Sequence, residues 1–238
     1  GIAVQIQHAI MNFVNSFMIS INPQITKSYS LNNTSEYNKL ILAGSRYSFF
    51  LYLIIAIPIY VEADNLLILW LKEVPNYTVI FLKLTLCVTA FNPLSNALII
   101  GVLATGKIKK YYLILGLLNL SCLPMAYFFL HWGTKPESIY YILIVMNFIL
   151  LIARPFILRQ NTSFPCIEYL LQTLKVSIIS ISIVILCSQL AMKFDNVFIQ
   201  LIINSIISIC TTIFVIFLIG LKRTERNYII TKIKNIHI

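Results

Sequence analysis

The stretch Tyr111–Leu130, YYLILGLLNLSCLPMAYFFL, decides the fold class of this chain. It contains no charged side chain, and an α-helix of about twenty residues is about 30 Å long, which matches the hydrocarbon core of a bilayer. Three lysines, at positions 107, 109 and 110, precede the stretch closely, whereas a single lysine at 135 follows it. The stretch is therefore predicted to be a transmembrane helix with more positive charge at its first end.

The rest of the chain has the same apolar character. Hydrophobic residues make up 59% of the 238 residues and charged residues 11%, against roughly 25% charged in soluble domains. Apolar runs of spanning length recur along the sequence. They predict seven transmembrane helices, at residues 2–22, 41–61, 78–104, 111–130, 139–157, 170–192 and 197–221. The predicted fold class is an all-α membrane protein, a polytopic bundle of about seven transmembrane helices.

One apolar stretch, Asp64–Leu71 (DNLLILWL), is too short to span a membrane. Aspartate is a residue type that caps helix N-termini, and Trp70 is typical of the headgroup region. The stretch is predicted either to form a brief helix at the outer interface or to extend the second transmembrane helix.

Lysine and arginine alternate along the predicted loops. From the first loop to the tail, the segments carry 3, 1, 3, 1, 3, 1 and 5 of them: Lys27, Lys39 and Arg46; Lys72; Lys107, Lys109 and Lys110; Lys135; Arg154, Arg159 and Lys175; Lys193; and Lys222, Arg223, Arg226, Lys232 and Lys234. Because positively charged loops stay in the cytoplasm, Gly1 is predicted outside and the C-terminal tail inside. The net charge of +10 then reports topology and attraction to anionic membrane lipids. No nucleic-acid partner is predicted.

The first predicted helix carries a row of polar side chains. Gln5, His8, Asn12 and Asn15 follow one another at steps of three or four residues, which places them within an arc of about 80° on a helix. A polar side chain that faces lipid has no hydrogen-bond partner. The row is therefore interpreted either as hydrogen bonding between packed helices or as the lining of a cavity for a hydrophilic substrate.

Asn22-Pro23 is predicted to end this helix at the cytoplasmic face.

The third predicted helix contains a lysine and an Asn-Pro pair. Lys83 lies near the predicted outer border, so it is interpreted either as reaching the headgroups or as an inward-facing cation that meets an anionic substrate. Asn92-Pro93 predicts a kink, because proline removes one helical hydrogen bond. Such a kink either only bends the helix or lies beside a substrate path.

Several kinds of functional motif are missing from the sequence. No aspartate or glutamate lies within a predicted helix, and no nucleophile triad, phosphate-binding glycine loop or zinc-ligand spacing is present. The sequence therefore predicts neither an enzyme nor a bound metal or other cofactor.

Five stretches resemble one known family. They are GIAVQIQHAIMNFVNSFMISINPQITKSYS at 1–30, SRYSFFLYLIIAIPI at 45–59, LWLKEVPNYT at 69–78, ATGKIKKYY at 104–112 and GLKRTERNYIITKI at 220–233. In this order they are similar to the second half of polysaccharide flippases, the O-antigen (Wzx-like) transporters of the MOP exporter superfamily. The resemblance covers essentially the whole chain.

The resemblance implies a fold and an activity. Such transporters have two helix bundles around a central cavity, so residues 1–157 would form five cavity-lining helices of the second bundle, a MATE/MOP-like half. Residues 158–238 would form two additional transmembrane helices and a basic cytoplasmic tail. The partner would be a missing N-terminal half of the same protein. The activity would be flipping undecaprenyl-pyrophosphate-linked oligosaccharide from the inner to the outer leaflet of the bacterial inner membrane, for O-antigen or capsule-type polysaccharide.

The resemblance also implies roles for particular residues. Gln5, His8, Asn12 and Asn15 would line the cavity, and Lys27 and Arg46 would meet the pyrophosphate on the cytoplasmic side. Lys83 and Asn92 are further candidates for the substrate path. Two alternatives stay open: a multidrug or cation antiporter of the same superfamily, which needs a buried carboxylate, and a membrane polysaccharide polymerase or glycosyltransferase, which needs a long catalytic outer loop.

Overall fold

The computed structural model describes residues 1–71 and 73–234, without the side chains of 229, 233 and 234, and within these ranges it contains no β-strand. The helices are α1 Ile2–Ser30, α2 Thr34–Val61, α3 Ala63–Leu71, α4 Thr78–Thr89, α5 Phe91–Ala104, α6 Lys109–His131, α7 Ser138–Arg159, α8 Cys166–Leu190, α9 Val197–Val215 and α10 Arg223–Lys234. A π-helical turn, Ile216–Gly220, continues α9. The prediction of an all-α polytopic membrane protein is confirmed. Lys72, which the charge count uses, and residues 235–238 of the tail lie outside the described residues.

Six helices in the described ranges are long and apolar enough to cross a membrane. They are α2, the combined segment Thr78–Ala104, α6, α7, α8 and the segment Val197–Gly220. The first helix, α1, has 29 residues but is not among the six, because its polar row lowers its hydropathy. Composition thus supports six spans rather than the predicted seven.

The first helix nevertheless runs alongside α2 over most of its length. Only residues 31–33 connect the two helices. The rings of Tyr29 and Tyr37 are 5.4 Å apart near this connection, and further along Met18 lies against Gly44. The two helices therefore form an antiparallel hairpin, and α1 occupies the same layer as the spanning helix α2.

The prediction that Asn22-Pro23 ends the first helix is wrong. The helix continues through Pro23 to Ser30, although proline cannot donate its helical hydrogen bond. The proline leaves the Ile19 carbonyl without its helical donor. Two side chains that follow Pro23 bond back to other carbonyls: Gln24 Nε2 donates to the Ser20 carbonyl at 3.1 Å and Thr26 Oγ1 donates to the Asn22 carbonyl at 3.2 Å.

The second helix begins at Thr34, seven residues before the predicted start. Asn33 caps it in a reciprocal arrangement with Glu36. The Asn33 Oδ1 atom accepts the Glu36 backbone N–H at 3.1 Å, and Asn33 Nδ2 donates to Glu36 Oε2 at 2.9 Å. This N-cap explains the early start. Most of the predicted first loop is therefore helical.

The predicted kink in the third span is confirmed. The helix breaks at Ala90 into α4 and α5, which places Pro93 in the first turn of α5, where its missing N–H costs nothing. Hydroxyl groups from neighbouring helices donate to backbone carbonyls around the break. They are Tyr52 to Leu86 at 2.6 Å, Ser48 to Pro93 at 2.8 Å and Tyr169 to Leu94 at 2.8 Å.

The core is built around α2. This helix packs against α1, α5, α8 and α9, and Gly44 and Gly101 allow α5 to approach it closely. By contrast, Tyr111 is the only buried residue that α6 contributes. The short segment at 63–71 forms a helix of its own, α3, which packs against α4 and α9. The polar face described next lies on the α1–α5 side of this arrangement.

Candidate functional site: a polar face on helices α1 and α5

The polar row of α1 points away from the body of the bundle. Gln5, His8, Asn12 and Asn15 are all exposed. The opposite side of the helix is buried, with Ile6, Ile10, Val14 and Met18 in the core. The sequence therefore places four large polar groups on the surface of a membrane-embedded bundle.

Helix α5 extends this polar surface. Asn92 and Asn96 lie one turn apart on α5, and Asn96 Nδ2 donates to Asn15 Oδ1 at 3.2 Å. Asn92 is exposed and Asn96 is half-buried. We call the surface formed by Gln5, His8, Asn12, Asn15, Asn92 and Asn96 the polar face.

Most of the polar face lacks hydrogen-bond partners within the described part of the chain. The Asn15–Asn96 bond is the only one that ties it together, and the side chains of Gln5, His8 and Asn12 make none there. An amide or imidazole left without a partner in hydrocarbon costs several kcal/mol, about 2–7 by transfer measurements. The polar face must therefore meet water or a second polar surface, since packing within the described chain does not satisfy it.

Arg46 lies on a different side of α2 from the polar face. A Cβ atom on Gly44 would lie 3.2 Å from Ala97 of α5, so Gly44 faces α5. Arg46 is two residues further on, which rotates it by about 200° around the helix. The structure thus does not bring Arg46 together with the polar row.

The Arg46 guanidinium is paired with a carboxylate of α10. Arg46 is only 5% exposed, and its Nη2 atom donates to Glu225 Oε1. The Arg46 guanidinium also lies 5.0 Å from the centre of the Tyr47 ring, and Glu225 Oε2 accepts the Lys222 backbone N–H at 2.8 Å. Partial burial alone would raise the Glu225 pKa, but the Lys222 N–H, the Tyr47 hydroxyl and the Arg46 charge together hold that pKa below its ordinary value.

The other two predicted cations also lie apart from the polar face. Lys83 Nζ forms an ion pair with Asp64 Oδ2 of α3 at 3.1 Å and lies 6.0 Å from the centre of the Tyr60 ring. Lys27 is exposed near the other end of α1, about 18 Å along the helix axis from Asn15. Five of the eight predicted site residues therefore form one surface, and Lys27, Arg46 and Lys83 do not belong to it.

Sequence reasoning missed a buried carboxyl group at the end of α2. Glu62 directly follows the second predicted helix, 41–61, yet it is only 4% exposed. Its two oxygens accept hydrogen bonds from Asn65 Nδ2 at 2.6 Å and Asn204 Nδ2 at 2.7 Å. Asn204 is the only asparagine in α9, and a lone amide in an apolar helix was the sequence feature that could have indicated a buried polar partner. This contact ties the end of α2 to α9.

A second buried guanidinium was also missed. Arg154 of α7 is 7% exposed, and its Nε and Nη1 atoms have no hydrogen-bond partner among the described residues. The sequence placed it in the cytoplasmic charge count because it lies near a helix end. A buried charge of this kind is costly unless a counter-ion approaches it.

Comparison with family models, with curated proteins and with solved structures finds no match for this chain. Membership of the flippase family therefore stays a prediction that depends on the five stretches quoted above.

Proposed function

We propose that this chain forms one bundle of a membrane carrier that moves a lipid-linked oligosaccharide across the bilayer. The observation that carries the proposal is the polar face, a set of six polar side chains, five exposed and one half-buried, on an otherwise apolar membrane protein. In the carrier this face borders a water-filled passage, with a second polar bundle on the other side of the passage.

The chemistry of the polar face suits sugars. Five amide side chains and one imidazole both donate and accept hydrogen bonds, as sugar hydroxyls do. None of the six carries a carboxylate, whereas an antiporter for cations needs one in its passage. The buried carboxyl Glu62 lies against α9 instead. These features favour contact with the uncharged, hydroxyl-rich glycan part of a substrate, in agreement with the resemblance to polysaccharide flippases.

A water-filled passage lowers the free energy needed to move the hydrated glycan across the bilayer. A glycan with many hydroxyls, attached to a charged pyrophosphate, cannot enter hydrocarbon without losing its hydrogen bonds to water. In the proposed carrier the glycan crosses along the polar face while its polyprenyl tail stays in the bilayer. We place the carrier in a bacterial inner membrane because of the resemblance to O-antigen transporters, and its C-terminus in the cytoplasm because of the alternation of lysine and arginine.

Deletion of the gene tests the proposal. We expect lipid-linked oligosaccharide to accumulate on the inner leaflet of the deletion strain, and the wild-type gene to restore its export. Genes carrying Asn12→Leu or Asn15→Leu should restore less export at the same protein level, because leucine cannot hydrogen-bond to the glycan.

Asn119→Leu is the matched control for these variants. Asn119 is also an exposed asparagine, but it lies on the peripheral helix α6. We expect this variant to export normally. Equal export by all three variants would show that the polar face does not contact substrate, and a deletion strain without accumulation would contradict the carrier itself.

A further inference from the structure

Helices α2 and α8 and the start of α10 border two adjoining cavities. Their volumes are about 500 Å³ and about 460 Å³, and Arg46, Glu168, Gln172 and Lys222 line both. Lys39 lines the first cavity and Lys175 the second. We call these two cavities together the basic groove.

The basic groove has spare capacity for an anion. Its four cations, Lys39, Arg46, Lys175 and Lys222, outnumber its two carboxylates, Glu168 and Glu225. Arg46 is only 5% exposed. Of its guanidinium nitrogens, only Nη2 donates a hydrogen bond to Glu225. The Arg46 Nε atom is buried without a partner among the described residues. Arg46 lines both cavities, and a guanidinium favours a phosphate oxygen as its partner, since charge-assisted hydrogen bonds are the strong ones.

One wall of the basic groove is apolar. The second cavity is also lined by Ile167, Leu171, Val176 and Leu221. Ile167 is 68% exposed and Leu171 is 62% exposed, and both belong to a helix apolar enough to span the membrane. Cations at one end and an exposed apolar wall beside them match a headgroup phosphate with its acyl chain. A free phosphate ion would use the charged end alone.

We propose that the basic groove binds the phosphate of an anionic phospholipid from the membrane leaflet that lies nearest the start of α10. Arg46 and Lys222 contact the phosphate, Lys39 and Lys175 add positive charge, and the first acyl chain lies on Ile167 and Leu171. Glu225 then competes with the lipid for Arg46. The proposal does not depend on the proposed function, because the basic groove and the polar face lie on different sides of α2.

Lipid titration of the purified full chain in detergent tests the proposal. The probes are phosphatidylglycerol, phosphatidylcholine and inorganic phosphate, with bound molecules counted by native mass spectrometry. We expect one tightly held phosphatidylglycerol and no comparable binding of phosphatidylcholine. Lys222→Gln and Arg46→Gln should each weaken phosphatidylglycerol binding by about tenfold, the effect of losing one charged hydrogen bond.

Matched variants separate the lipid site from general charge effects. The double variant Lys109→Gln/Lys110→Gln removes two exposed lysines outside the groove and should bind phosphatidylglycerol normally. Glu225→Gln removes the competing carboxylate and should tighten binding. Leu171→Ser, at an exposed position, should weaken phosphatidylglycerol binding without changing the binding of inorganic phosphate.

Three outcomes would overturn the proposal. The first is equal binding of phosphatidylglycerol and phosphatidylcholine. The second is an equal loss in the Lys222 variant and the Lys109/Lys110 variant. The third is inorganic phosphate binding as tightly as the lipid with no effect of Leu171→Ser, which would make the groove a site for free phosphate. Lys222 lies at the exposed start of the tail, so its variant keeps the test valid even if Arg46→Gln does not fold.

Discussion

At the scale of single residues, two buried arginines differ in what surrounds their charge. Arg46 has the Glu225 carboxylate of α10 as a partner, and Tyr47 covers its guanidinium. Arg154 has no hydrogen-bond partner for its Nε and Nη1 atoms in the described part of the chain. Replacing a buried, poorly compensated charge by an apolar side chain is often neutral or stabilising, whereas breaking a good pair is destabilising.

We therefore expect Arg154→Met to leave the protein as stable as the wild type or more stable by about 1–2 kcal/mol. Arg159→Met on the same helix is the control, because Arg159 is exposed and its replacement should change stability by less than about 0.5 kcal/mol. Denaturant unfolding in detergent micelles measures both. A loss of more than about 1 kcal/mol in Arg154→Met would show that this charge has a counter-ion.

The Arg46–Glu225 pair should make stability depend on pH. The folded-state pKa of Glu225 lies below its ordinary value of 4.5. The pair therefore stabilises the fold fully above that ordinary value, and this stabilisation is lost as the pH falls through the lowered folded-state value. We expect the melting temperature of wild type to exceed that of Glu225→Gln at neutral pH in lipid-free detergent, and the difference to shrink in acid. A difference that stays constant from pH 7 to pH 3 would show that Glu225 is not the titrating partner.

At the scale of helices, the close contact between α2 and α5 depends on Gly101. A Cβ atom there would lie 2.6 Å from Ile41 Cδ1 and 2.9 Å from the Tyr37 hydroxyl, and that hydroxyl donates to the Gly101 carbonyl at 2.8 Å. The glycine thus lets the tyrosine reach the backbone, so one added methyl group disturbs both the packing and the hydrogen bond.

Gly101→Ala should therefore destabilise the protein by about 1–3 kcal/mol, the usual cost of overpacking a core. Gly116→Ala provides the control, because no atom lies within 4 Å of the added methyl group on α6. There the better helix propensity of alanine should leave stability equal or slightly higher. Thermal unfolding gives the melting temperatures of the two variants. Equal melting temperatures would contradict the close contact between α2 and α5 at Gly101.

The helices themselves could be predicted from the sequence, but several of their ends could not. Apolar runs identify α6, α7 and α9 to within a few residues. The extension of α1 past Pro23 depends on tertiary packing, since Ile25 beyond the proline is fully buried, and the early start of α2 depends on the Asn33 cap. Helix α10 was missed because its polar sequence has no apolar run to identify it.

At the scale of the whole molecule, the polar face was predictable and the Arg46 pair was not. The spacing of Gln5, His8, Asn12 and Asn15 puts them on one side of any helix. Arg46 and Glu225 are 179 residues apart in the sequence, so only the docked position of α10 reveals their contact. The sequence likewise gives no sign that Arg46 and the polar row face different sides of α2.

The orientation of the bundle in the membrane can be tested by labelling. In a variant lacking the five native cysteines, single cysteines replace Lys109, Lys135, Lys193 or Thr231, all exposed positions. A membrane-impermeant maleimide added to spheroplasts should label positions 135 and 193, and should reach 109 and 231 only after permeabilisation, because loops rich in lysine and arginine stay inside. The reverse pattern would invert the topology, and labelling of 135 and 193 from different sides would contradict two spans, α7 and α8, between them.

The helices of the α1–α2 hairpin are longer than the hydrocarbon core of a membrane is thick. The 29 residues of α1 make a rod of about 43 Å, against about 30 Å of hydrocarbon, and its sequence turns polar from Asn22 onward. Residues 31–33, where the hairpin turns, therefore project beyond the hydrocarbon core on two rigid helices. An antibody fragment raised against this corner would hold a fixed angle to the bundle, which makes the corner a natural fiducial for electron cryomicroscopy.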